Sequence, residues 1–158
     1  MDNSHVFFFR SSNPFSNWFT SVFVIEDRTF MNNEQWMMYS KAVLFKDSET
    51  ALEIMKNSDP KTCKALGRKV KNFDCKVWDE NCMKIVSQGL FAKFTQNKIL
   101  KQILLDTEDK NIVEASPYDR IWGIGLSESD AKRTHPNTWP GLNKLGICLM
   151  NVRELIKH

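Results

Sequence analysis

The chain has 158 residues, 42% of them hydrophobic, with 22 Lys and Arg against 19 Asp and Glu for a net charge of +3. That length suits one domain burying about two-thirds of its unfolded surface. The charge is too slight for a protein that coats nucleic acid, though it would not repel a phosphorylated ligand.

MDNSHVFFFR at the start has no basic region before its short apolar run, so it does not read as a secretory leader. HVFFFR reads instead as a short buried strand, and TSVFVIEDRTF as two extended pieces around a turn at Glu26 and Asp27, with turn chemistry in SSNPFSNW between them. A helix is predicted from Asn32 or Asn33, and Trp36, Met37, Tyr39, Val43 and Leu44 make it apolar nearly all round, as a central helix is. Further helix starts fall at Asp47 or Ser48, at Asp59 before Pro60, at Asp74 and at Asn97. In the longest of these, Val77, Met83, Val86, Leu90 and Phe94 share a stripe interrupted at Gly89. A last helix over roughly 142 to 156 carries Leu142, Leu145, Leu149, Val152 and Ile156 on one face. Connections are short and there is no repeat, so the expected fold is one mainly helical α+β domain over 1–158 with a small N-terminal β element. No run approaches the ~20 apolar residues of a membrane span. Cys63, Cys75, Cys82 and Cys148 lack C-x-x-C spacing and the histidines are scattered, so neither zinc nor a membrane partner is expected. A cytoplasmic protein with reduced thiols is the expectation.

Three places could carry chemistry. Glu34 and Lys41 lie seven residues apart, nearly superposed in end view of their helix, with Met38 between them. Either they form a solvated rim on which Lys41 snorkels, or they are sheltered and tune each other's protonation. In EASPYDRIWGIG, Pro117, Gly123 and Gly125 shape a loop holding Tyr118, Asp119, Arg120 and Trp122. Asp119 there either caps nearby amides while Trp122 plugs the core, or both face a ligand; spacing leaves the two readings open. Lys64, Arg68, Lys69 and Lys71 form a basic run in which Arg68, beside Gly67, suits a phosphate. No P-loop, dinucleotide fingerprint or nucleophile elbow is present.

Taken in order, FFFR with FSNW, NNEQWMMYSKA, ALGRKV with VWDENCMKIV, GLFAKFTQN, EASPYDRIWGIG and GLNKLGICLMNVREL resemble the YbiA-like, or NADAR, family over nearly the whole chain. The resemblance implies a mainly helical fold and hydrolysis of a ribosyl N-glycosidic bond without a cofactor. The substrate it implies is either a phosphorylated ribosylaminopyrimidine of early riboflavin synthesis or ADP-ribose linked to guanine, as in ADP-ribosylated DNA. The family's motif positions fall on Glu34, Lys41, Trp78, Asp119, Arg120, Trp122 and Gly123; the expected catalytic residues are Glu34, Lys41 and Asp119, and the expected substrate contacts Asn17, Arg68, Lys69, Trp78, Arg120, Trp122 and Gly123. The chain departs from the family's commoner residues at Trp18, Trp36 and Met37. A nucleotide-binding module without catalysis is the alternative, but such a module needs no paired acid and amine.

Overall fold

The computed structural model describes residues 4–158; Met1 to Asn3, the first part of the segment read for a leader, lie outside the described residues. The first five helices begin where a side chain can take up an otherwise unbonded amide of the first turn. These are α1 (Asn33–Leu44), α2 (Ser48–Met55), α3 (Pro60–Gly67), α4 (Cys75–Thr95) and α5 (Lys98–Leu105), capped by Asn32, Asp47, Asp59, Asp74 and Asn97. A short α6 (Glu128–Lys132), capped by Ser127, and the long α7 (Lys144–Lys157) complete the α-helices among the described residues, with a 3-10 turn at Pro136–Thr138 between them.

Helix α1 packs on α2, α3 and α4, while α4 also carries α5 and α7. The main core runs through Met37, Ala42, Ile54, Val86, Leu90, Phe94, Leu104 and Leu149. Gly89 is where α1 approaches α4: a Cβ there would run into Asn33 Oδ1 and Trp36 Cδ1. The interruption in the apolar stripe is thus a helix-crossing point.

The predicted N-terminal β element is in fact two separate pieces. Strands β2 (Phe23–Ile25) and β3 (Arg28–Phe30) form a hairpin whose turn residues Glu26 and Asp27 both have positive φ, 49° and 67°. That turn geometry matches the twist of paired strands. Strand β1 (His5–Phe8) pairs instead with β4 (Asn111–Glu114), in parallel, from His5 with Asn111 to Phe8 with Glu114. Strand β4 is not among the elements expected from the sequence. It is four residues long, and Ile112 and Val113 are both buried, so it shows no alternation to read.

Two helical expectations need correction. Helix α1 is central, but Val43 is exposed, and the buried residues of its first turn are the polar Asn33, Glu34 and Gln35. Gln35 stays inside because its Nε2 donates to Ile54 O and Asn57 O while its Oε1 accepts from Met31 N. Leu142 is not on the last helix: it is exposed, and the following Asn143 takes φ 52°. A left-handed residue breaks the helical run, and α7 begins just after it.

Candidate active site

A cavity of about 800 Å³ opens between the first turns of α1, the end of α3, the start of α4 and the loop after β4. Volumes of that order hold a nucleotide-sized ligand. Glu34 and Lys41 reach it from α1, Lys64 and Arg68 from α3 and its end, and Trp78 from α4. Asn17 and Trp18 enter from the loop after β1, and Glu114, Asp119 and Trp122 from the segment that follows α5.

The loop after β1 is latched to α1. Glu34 N donates to Asn17 O at 3.0 Å, and Asn33 Nδ2 donates to Asn17 Oδ1 at 2.8 Å. Behind it, the buried Lys93 donates its Nζ to Ser16 O at 3.0 Å, and burial pushes that amine down to about 7. Trp18 Nε1 donates to Glu34 Oε1 at 3.0 Å.

Glu34 is 5% exposed. Burial pushes its carboxyl up to about 7, opposed by the Trp18 hydrogen bond and the Lys64 charge; Asp119 adds to the rise and Lys41 works against it. Lys41 is half-buried, with Nζ 4.7 Å from the centre of the Phe73 ring and 5.6 Å from that of Trp78. Burial lowers its amine below the usual lysine range, Glu34 opposes that, and Arg68 adds to it. The sheltered reading of this pair therefore describes the fold better than the solvated rim.

For EASPYDRIWGIG the capping and core-plug reading holds, and the same residues also face the cavity. Asp119 Oδ1 accepts from Ile121 N and Trp122 N, each at 2.9 Å, and Trp122 packs against the core, yet both residues also line the cavity. The loop is set by α7. Lys144 N donates to Ile121 O, Leu145 N to Trp122 O and Asn143 N to Gly123 O, at 3.1, 3.1 and 3.0 Å. The loop's carbonyls thereby satisfy first-turn amides of that helix. Asn143 pins β4: its Oδ1 accepts from Glu114 N and its Nδ2 donates to Ile112 O, both at 3.0 Å.

Glu34, Lys41, Asp119, Asn17, Arg68, Trp78 and Trp122 thus converge on one cavity, whereas Lys69, Arg120 and Gly123 do not line it. Lys69 is exposed beyond the end of α3, and the Arg120 side chain lies beside Gly125. Gly123 contributes space: a Cβ there would sit 2.9 Å from Asp119 O and 3.1 Å from Glu114 Oε2. Trp18, which anchors Glu34, and the cavity-lining Lys64 and Glu114 are not among the site residues expected from the sequence. Lys64 lay in view within the basic run, one helical turn before Arg68. Glu114 gave no signal, because its importance depends on the unforeseen β4. Among the described residues no three His, Cys, Asp or Glu side chains are grouped to hold a metal ion.

The NADAR domain pattern matches residues 7–157. The chain belongs to the NADAR family. Within it, the N-glycosidase R617 of Acanthamoeba polyphaga mimivirus is 41% identical, covering 98% of each chain. The N-glycosidase YbiA of Escherichia coli is 29% identical over 89% of this chain and 79% of its own. The solution NMR structure of Escherichia coli YbiA superposes with a TM-score of 0.81 at 26% identity, covering 99% of this chain and 87% of that one. The NADAR fold expected from the sequence is therefore the fold observed. Several NADAR relatives, at 29 to 41% identity over most of the chain, are named N-glycosidases, and this chain is an N-glycosyl hydrolase. No helix among the described residues is long and apolar enough to cross a membrane.

Proposed function

We propose that the cavity hydrolyses the C1′–N bond of a phosphorylated ribosyl compound whose leaving group is an amino-bearing base. Two substrates have this chemistry: a ribosylaminopyrimidine phosphate and guanine-linked ADP-ribose. The observation that carries the reading is the convergence of Glu34, Lys41 and Asp119 with three indoles and the cationic Arg10, Lys64 and Arg68 around a single cavity. Each part answers a demand of the reaction. Positive charge grows on the sugar as the bond breaks, so a carboxylate near C1′ stabilises the transition state more than the ground state.

Glu34 aligns and deprotonates the attacking water; a group poised near 7 is well matched to that task at neutral pH. Asp119, with Oδ1 committed to two backbone amides, orients the ribose hydroxyls through its other oxygen. Trp78 and Trp122 stack on the base. Arg68 and Lys64 meet the phosphate at the mouth of the cavity. The depressed amine of Lys41 adds a second route, in which a ring-opened ribosylamine is captured at C1′ as a Schiff base and then hydrolysed.

The test is product analysis. Purified protein is incubated separately with a ribosylaminopyrimidine phosphate and with guanine-linked ADP-ribose, and released base and sugar are followed by mass spectrometry. Release from either supports the reading and names the substrate. Binding of both with release from neither favours the non-catalytic nucleotide module.

A further inference from the structure

The water-activating and charge-stabilising groups leave one requirement unmet. An exocyclic amine departs as a high-energy anion unless it receives a proton as the C1′–N bond breaks. Resting on the proposed glycosidase reading, the geometry points to Glu114 as the acid that supplies that proton.

Glu114 closes β4, the strand that β1 and α7 hold in place. Its backbone N–H is fixed by Asn143 Oδ1, and its carbonyl accepts from Ile124 N at 3.0 Å. The side chain lines the same cavity as Glu34 and Asp119. Its Oε2 is buried with no hydrogen-bond partner, turned toward Gly123, where a Cβ would come within 3.1 Å of it. A carboxylate is poorly tolerated in such a place, since a buried anion needs donors around it. A carboxylic acid is tolerated, and it is also what a proton donor must be.

The charged groups around Glu114 reinforce this. Burial pushes its carboxyl up to about 8, the charges of Asp119 and Glu34 push in the same direction, and Lys64 opposes them. An ionised Glu34 therefore makes the Glu114 proton harder to remove. With Glu34 ionised as the base, its charge helps Glu114 stay an acid. Two carboxyls with separated titrations are the usual basis for dividing acid and base work within one site.

The step balances. As the C1′–N bond breaks, its electron pair goes to nitrogen, which takes the Glu114 proton. Glu34 removes a proton from the water that adds to C1′. That proton is the one needed to restore Glu114 for the next cycle, and one water is consumed per base released.

Glu114→Gln separates this role from a structural one, because an amide mimics the shape and neutrality of the protonated acid but does not give up a proton at neutral pH. The expected result is a fall in kcat of about 100-fold or more, with KM little changed and the decline of activity above about pH 8 abolished. Activity within a few-fold of wild type, with that decline retained, overturns the proposal. A second measurement does not depend on turnover: the side-chain carboxyls of the wild-type protein, labelled with carbon-13, are titrated by NMR. A Glu114 carboxyl titrating near pH 8 agrees with the proposal, and one titrating below about pH 6 overturns it. If wild type releases base from neither substrate, the substrate reading fails and the titration alone decides the ionisation of Glu114.

Discussion

Replacing Glu34 by Gln should make the protein more stable in alkaline solution while removing its activity. The native carboxyl titrates at about 7 against an ordinary value of 4.5, so the two differ by about 7 − 4.5 = 2.5. At about 1.36 kcal/mol per pH unit, this amounts to at most about 3.4 kcal/mol. The native state holds the proton more tightly than the unfolded chain. Stability from this group is therefore complete below pH 4.5, declines as pH rises, and is lost once pH passes about 7. The amide in the Glu34→Gln variant has nothing to titrate and can keep the Trp18 bond through its own oxygen. Urea unfolding of both proteins at pH 4.5 and pH 8.5 should show similar stability at the lower pH and a variant about 2–3 kcal/mol more stable at the higher. A domain of this size has only about 5–15 kcal/mol in total, so the shift is measurable. Turnover should fall by about two to four orders of magnitude. A stability difference that does not change with pH, or a variant weaker than wild type at pH 8.5, would refute the account of Glu34 as an anion held at a cost.

Trp18→Phe removes the hydrogen bond that holds the Glu34 carboxyl down, so the acidic limb of the pH–rate profile should move to higher pH; an unmoved limb would separate Trp18 from the chemistry. Wild type should show a bell-shaped kcat/KM profile with limbs near pH 7 and pH 8, set by Glu34 and Glu114, and a profile flat across that range would remove both assignments. Borohydride added during turnover should leave a sugar mass on a Lys41 peptide and none in the Lys41→Met variant. An adduct-free wild type would restrict the enzyme to direct hydrolysis. Gly89→Ala, which drives a methyl into Asn33 and Trp36 where α1 crosses α4, should lower unfolding free energy by about 1–3 kcal/mol; unchanged thermal stability would contradict that crossing.

Sequence alone determined the parts governed by neighbours along the chain. Five of the helix starts could be read because a short polar side chain and the amide it caps lie within three residues of each other, as at Asp74 with Val77 and Asn97 with Leu100. The common helix face of Glu34 and Lys41 follows from the helical repeat in the same way. Tertiary structure decided what depends on distant segments. The partner of β1 arrives more than a hundred residues later, and that pairing, with the hydrogen bonds from Asn143, carries Glu114 to the cavity. Arg120 and Trp122 stand two apart in one motif, yet α7 holds their loop so that the indole faces the cavity and the guanidinium does not. Protonation is decided at the same level: an isolated glutamate is an anion at neutral pH, and burial by elements from across the chain, with the charges of Asp119 and Glu34, pushes the Glu114 carboxyl up.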